Sequence, residues 1–154
     1  MKFPPYPDIE RLVPHQGHMC LLDAVIDHGE SWVEAEATIR SDNIFAEGND
    51  RVGAWVGLEY MAQTVAAWAG LRAFAQGRSI KLGFLVNTRR YTSEWSEFPR
   101  GSRVVVRAEH DYETDNGLAV FHCRIRCGTQ NVAQATLTVF QPPDAAAFLE
   151  GAIP

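Results

Sequence analysis

The sequence predicts an α+β fold, an antiparallel sheet wrapped on one long helix. Three observations carry that prediction. The stretch Gly53–Ala75 is rich in Ala, Leu and Met and nearly free of helix breakers, so it reads as one helix of about 23 residues and about 34 Å. Two strand-like segments precede it and several follow it. At 154 residues the chain is one ordinary domain, residues 1–154, long enough to bury a real core.

Residues 4–14 are proline-rich and hold a short helical turn, Asp8–Leu12, that ends at Val13-Pro14. Met19–Ile26 is a continuous apolar run, the pattern of a buried strand, and Trp32–Arg40 alternates apolar with polar, the pattern of a half-buried one. Asp27–Ser31 between them reads as a hairpin loop. Ser41–Asn49 is polar and irregular, anchored by Phe45, and leads into the helix. Ala54, Leu58, Met61, Val65 and Trp68 follow helical spacing, but Trp55, Ala62, Ala66 and Ala69 cover much of the remaining circumference. A helix apolar almost all round is buried on most sides.

After Gly77 the pattern turns strand-like. Lys81–Asn87 is apolar and is followed by a second stretch over Arg89–Trp95, then a turn at Phe98–Gly101. Val104–Tyr112 and Leu118–Arg126 read as strands joined through Asp115-Asn116-Gly117, a hairpin signal. Val132–Phe140 alternates cleanly and stops at Pro142-Pro143.

Composition narrows the function classes. A net charge of −5, with no basic surface interleaved with aromatics, argues against nucleic acid as partner. The N-terminus has no apolar run of the signal-peptide kind, and Glu59, Gln63 and Arg72 interrupt the longest apolar segment, so neither secretion nor a membrane span is expected. Three cysteines, Cys20, Cys123 and Cys127, lack metal-ligand spacing and suit reduced thiols in a cytoplasmic protein with no metal.

One carboxylate, Glu59, stands in the first half of the apolar helix, with Gln63 one turn further on the same face. Two readings stand: a Glu at the helix edge that is simply solvated, or a catalytic acid or base tuned by its surroundings.

Three motifs in order, Leu12–Asp23, Gly57–Gln63 and Leu82–Tyr91 with Phe98–Gly101, then resemble the hotdog-fold 3-hydroxyacyl-[acyl carrier protein] dehydratases. Leu12-Val-Pro-His-Gln-Gly-His-Met-Cys-Leu-Leu-Asp23 is similar to that family's opening Leu-Pro-His-Arg followed by an apolar run closing on Asp. Gly57-Leu-Glu-Tyr-Met-Ala-Gln63 is similar to its helix motif Glu-Ala-Met-Ala-Gln, whose acidic residue is catalytic. Leu82–Tyr91 with Phe98–Gly101 resembles the strand after the helix and its Pro-Gly turn. More narrowly, the chain resembles the dehydratase-like proteins of aryl-polyene pigment clusters. One departure matters: the family's Gly-His-Phe-Pro loop, with its catalytic His, is replaced here by Asn43–Val52, which holds no histidine. The resemblance therefore carries the acidic role to Glu59 and leaves the histidine role unassigned.

Dehydrating a 3-hydroxyacyl thioester needs a base for the proton beside the carbonyl, an acid for the leaving hydroxyl, and donors for the charge growing on the thioester oxygen. Glu59 suits the acid if apolar surroundings raise its pKa. The backbone amides of Gly53, Ala54 and Trp55, where the helix begins, are the oxyanion candidates. Among five histidines, His28, His110 and His122 fall in a turn or on strands; His15 and His18, in the Pro14–Met19 loop, are the candidates for the base. Gln63 is the candidate for contacting substrate or carrier, while Tyr60 and Tyr91 read as packing residues with donor roles in reserve.

The resemblance further implies no cofactor beyond a phosphopantetheine arm on an acyl carrier protein, and a homodimer or a heterodimer with another hotdog chain, with active sites at the interface. Because carrier proteins are acidic, an enzyme at −5 needs a local basic patch, and Arg89-Arg90, with Arg100 and Arg103 near the next turn, is the best candidate. Two other functions compete with the lyase: a hotdog thioesterase in which Glu59 activates water, and a non-catalytic partner subunit of a dehydratase heterodimer.

Overall fold

A computed structural model describes residues 5–40, 46–47, 51–78 and 83–141. Most of the Ser41–Asn49 loop with Phe45, the start of the Lys81–Asn87 segment, and Pro142-Pro143 lie outside the described residues.

The long helix, α1, runs Gly57–Ala75 and is preceded by a 3-10 turn, Ala54–Val56. It thus begins four residues later than its composition predicts. Gly53 ends a short strand, and the Ala54 amide donates to the Ser96 carbonyl at 3.0 Å, which ties down the segment that propensity alone assigned to the helix.

Six antiparallel strands form the main sheet: β1 Ala24–His28, β2 Trp32–Thr38, β5 Phe84–Ser93, β7 Arg103–Glu113, β8 Leu118–Cys127 and β9 Gln130–Phe140. Their order is β1-β2-β7-β8-β9-β5. Three short strands, β3 Ala46–Glu47, β4 Arg51–Gly53 and β6 Glu97–Phe98, make a second small sheet at the helix entry, which the sequence pattern did not signal. The two stretches expected over 81–95 are one strand, β5, broken twice by register shifts. The strand expected over Met19–Ile26 is shorter: a 3-10 turn occupies Gly17–Met19, and pairing begins only near Asp23, whose amide donates to the Glu36 carbonyl at 2.8 Å.

Alternation places Val33, Ala35 and Ala37 of β2, Val104, Val106 and Ala108 of β7, and Phe121, Cys123 and Ile125 of β8 on one buried face. Small alanines there let α1 approach closely, and Tyr60, Met61, Val65 and Leu71 fill the space between. The opposite face is polar: Glu34, Glu36, Arg103, Arg107 and Arg126 pair across β2, β7 and β8. The N-terminal segment lies along α1, with Leu12 and Val13 fully buried. No helix among the described residues is long and apolar enough to cross a membrane.

Candidate active site

Glu59 sits in the first turn of α1 with its side chain 36% exposed, so it is neither deeply buried nor fully solvated. The Pro14–Gln16 loop brings His15 to it: Nε2 of His15 lies 3.5 Å from Oε1 of Glu59. That is ion-pair range, longer than a charge-assisted hydrogen bond of about 2.7–2.9 Å. Nδ1 of His15 is buried and makes no hydrogen bond among the described residues. A buried polar atom without a partner is uncommon and marks a side chain whose position is set by something other than its own bonding.

Gln63 fixes this pair from below. It is fully buried, and its amide group is used in three directions. The oxygen accepts from the Leu21 amide at 2.8 Å; the nitrogen donates to the Met19 carbonyl at 2.8 Å and to Oε1 of Glu59 at 3.0 Å. Both amide hydrogens are therefore taken. Gln63, expected to contact substrate or carrier, here ties the 19–21 segment to the helix and holds one Glu59 oxygen. The other oxygen, Oε2, makes no hydrogen bond among the described residues, so it is the one open to a ligand.

The two histidines of the loop part company. His18, in the Gly17–Met19 turn, lines a different hollow with Glu10, Cys20, Thr38 and Arg40. Of the oxyanion candidates, the Ala54 amide is withdrawn by its bond to Ser96, while Gly53 closes β4 opposite Glu97.

Arg89 and Arg90 stand exposed on β5, and neither has an ion-pair partner among the described residues. Arg103, by contrast, pairs with Glu36, and Arg100 also has a partner. Across the outer face of the sheet, Arg90 shares a hollow of about 310 Å³ with Arg107, Glu109, His122 and Arg124. Arg107 is neutralised by Glu34 and Glu109, whereas Arg124 has no ion-pair partner among the described residues. Two features escaped the sequence reading. One is the tie from Gln63 to the 19–21 backbone, whose only sequence trace is its four-residue spacing from Glu59. The other is the partner of Tyr91, a residue expected to pack with a donor role in reserve: its hydroxyl donates to the Ala54 carbonyl. No cluster of three His, Cys, Asp or Glu fit to hold a metal occurs among the described residues.

A long helix cradled by an antiparallel sheet is the arrangement of a hotdog protein. Solved structures share that fold. A chain of the dehydratase heterocomplex ApeI:P from Xenorhabdus doucetiae superposes with a TM-score of 0.89 at 22% identity, over 97% of this chain and 99% of that one. The PaaI protein of the E. coli phenylacetic acid degradation operon gives 0.59 at 12%, covering 77% and 82%. A hypothetical thioesterase with coenzyme A from Streptococcus pneumoniae gives 0.56 at 14%, covering 76% and 83%. None of the curated proteins compared with the chain matches it.

The family is given by the sequence itself. Residues 7–150 match the ApeP-like family, described as ApeP dehydratase, and the chain belongs to it. It is thus a hotdog-fold dehydratase, of the hydro-lyase class expected from its motifs.

Proposed function

We propose that the protein removes water from a 3-hydroxyacyl thioester delivered on an acyl carrier protein, giving the 2-enoyl thioester, in aryl-polyene synthesis. The observation that carries this is the His15–Glu59–Gln63 constellation at the start of α1, in a chain of the ApeP-like family.

In the proposed reaction Nε2 of His15 takes the proton at C2, the electron pair forms the C2=C3 bond, and the C3–O bond breaks as Glu59 gives its proton to the leaving hydroxyl. The charge that passes through the thioester oxygen is favoured beside the 3-10 turn Ala54–Val56, which leads into the positive end of the α1 dipole. The step leaves His15 protonated and Glu59 ionised, and the proton returns to Glu59, through a water across the 3.5 Å gap, when the next substrate binds. Gln63 keeps Oε1 in place and leaves Oε2 to the substrate. His15 takes the base role over His18 because His15 faces Glu59.

The carrier docks, in this proposal, on Arg89 and Arg90 with Arg124 behind them, cations without ion-pair partners among the described residues in a chain of net charge −5. The assembly is a dimer with another hotdog chain. The outer edge of β5, unpaired among the described residues, with Leu85 and Val86 exposed, supports it.

A second reading, a partner subunit that shapes a heterodimer around an active homologue, is favoured by one observation: the similar ApeI:P structure is a heterocomplex. Incubation with a 3-hydroxyacyl and a saturated acyl carrier-protein thioester separates the readings. The enoyl product is expected; free acid instead makes the protein a thioesterase, and turnover that appears only with a second hotdog chain and survives Glu59→Gln in this one makes it a partner subunit.

A further inference from the structure

The first turns of the helix that carries Glu59 are held from outside, by the strand that follows it in sequence. On β5, Arg89 lies opposite Thr136 of β9 and Thr92 lies opposite Gln134. Three steps along β5 thus match two along β9, so β5 holds one extra residue. Arg90 takes up the irregularity in the left-handed region, at φ 55°, alone among the described non-glycine residues.

The extra residue decides where Tyr91 points. Side chains alternate along a strand, so with Arg89 outward an unbroken β5 would place Tyr91 outward as well. Past the bulge the alternation restarts: Thr92 is exposed, and Tyr91 turns in, half-buried against the core. Burial pushes its phenol above its usual 10, so the hydroxyl remains a proton donor throughout the neutral range.

That hydroxyl donates to the Ala54 carbonyl, the same oxygen that accepts the Gly57 amide as the 3-10 turn passes into α1. The Ala54 amide is meanwhile bound to the Ser96 carbonyl at 3.0 Å. The Ala54 peptide is therefore gripped on both sides, five residues before Glu59. Gly57 is the second sign of the grip. Its backbone is helical, at φ −53°, so the residue is not there for a left-handed turn. Instead a Cβ on Gly57 would overlap the Tyr91 hydroxyl and lie 3.2 Å from Cζ of Tyr91 and 3.3 Å from Cδ1 of Ile125. A glycine weakens a helix relative to alanine; here it makes room for the tyrosine.

We infer that Tyr91 is a positioning residue for Glu59: the β5 bulge turns it against the Gly57 gap, and its hydroxyl fixes the entry of α1 and with it the place at which the carboxyl meets substrate. The inference rests on Glu59 acting as proposed above. Its effect is on geometry in the reacting complex, where a displacement of about 1 Å costs about 100-fold in rate.

The test is a double-mutant cycle of Tyr91→Phe, Gly57→Ala and the two together, each paired with whatever hotdog chain the wild type needs for turnover. Tyr91→Phe is expected to lower kcat for a small 3-hydroxyacyl thioester by about 10- to 100-fold, with KM within about twofold of wild type. Gly57→Ala alone lowers kcat and Tm together. In the double variant the obstructing oxygen is gone and only the 3.2 and 3.3 Å contacts with the ring and Ile125 are left, so kcat and Tm fall nearer to those of Tyr91→Phe alone than to the sum of the two losses. Wild-type kcat in Tyr91→Phe overturns the inference, even if Tm falls, since the tyrosine would then serve only the fold. Additive losses in the double variant overturn it as well. Should the wild type turn over no 3-hydroxyacyl thioester at all, the proposed function fails by itself. Hydrogen exchange at the Gly57–Glu59 amides of the same four proteins then decides the clamp: coupled acceleration supports it, and unchanged exchange in Tyr91→Phe removes it.

Discussion

Exchanging Gln63 for glutamate changes one group and no volume, which makes it the sharpest probe of the site's electrostatics. One oxygen of the new carboxylate still accepts from the Leu21 amide, but the second takes the place of the nitrogen through which Gln63 donates to Met19 and Glu59. Two carboxylates at the observed 3.0 Å repel by about 5 kcal/mol at an effective dielectric constant of about 20. The pair avoids part of that by keeping one proton. Holding a carboxyl of ordinary pKa about 4.3 protonated at pH 7 costs about 3.7 kcal/mol, the smaller of the two figures, so it sets the penalty. The sign follows from linkage: the folded-state pKa of the new carboxyl is raised, so its burden is absent below about pH 4.3 and grows by about 1.4 kcal/mol per pH unit above it. For a chain of this size about 3.7 kcal/mol lowers Tm by about 7–15 °C at pH 7, shrinking to about 2–4 °C at pH 5. Thermal melts of wild type and Gln63→Glu at both pH values measure this. Adding Glu59→Gln to the variant removes the repulsion and is expected to restore most of Tm at pH 7. A loss of Tm equal at the two pH values, or one that the second substitution leaves in place, would refute the electrostatic argument.

Glu59→Gln on its own keeps an oxygen for the Gln63 amide and removes the proton, so turnover is expected to vanish while Tm stays within a few degrees; near wild-type kcat takes Glu59 out of the mechanism. Reversing Arg89 and Arg90 together to glutamate should raise KM for a carrier-bound thioester, less so at high salt, and leave a small N-acetylcysteamine thioester nearly untouched; equal loss on both assigns those arginines to fold or chemistry. Burial pushes the Cys123 thiol up to about 12 and the Cys20 thiol upward as well, so in the folded protein alkylation at pH 8 should fall first on half-buried Cys127, as peptide mass mapping would read. By the same sign, stability that rests on a neutral Cys123 is full below about pH 8.5 and declines as pH rises toward 12.

The legible part of this protein was whatever depends on periodicity. Two-residue alternation gave β2, β7, β8 and β9 nearly residue for residue, because each buries one face against a helix and the pattern has a single physical cause. The all-round apolar helix was legible for the same reason. The parts that escaped are decided by single hydrogen bonds. Ser96 capturing the Ala54 amide moved the helix start, and a one-residue bulge turned Tyr91 inward, neither of which leaves a periodic trace. At the site, Glu59 stood out as a lone carboxylate in an apolar helix. That His15 and not His18 lies against Glu59 needed the path of the 14–19 loop over α1, which is set by contacts some 44 positions away in sequence, between Met19 and Gln63.

That path turns on Gly70, and it yields the last prediction. The N-terminal segment runs down α1 in steps: the Arg11 guanidinium lies 5.2 Å over the Phe74 ring, Leu12 crosses Gly70, and His15 reaches Glu59. Its approach at Gly70 is through backbone. A Cβ there would overlap the Leu12 carbonyl oxygen and stand 2.7 Å from its carbon and 2.9 Å from Leu12 Cα. Backbone cannot swing aside as the end of a side chain does, and Leu12 and Val13 are themselves locked in the core. In an unobstructed helix Gly→Ala stabilises by about 1 kcal/mol. Here overpacking opposes it with about 1–3 kcal/mol or more, the upper end applying because main chain has to move. The helix gain is thus outweighed by about 2 kcal/mol, and Gly70→Ala is expected to lower Tm by about 4–8 °C. Displacing Leu12 also carries His15 away from Glu59, so kcat falls by more than the loss of folded protein explains, while Gly70→Ala leaves every polar group of the site in the chain. Raised Tm with unchanged kcat, the ordinary outcome for a helical glycine, would show that the segment does not depend on this crossing and that His15 is held to Glu59 by other means.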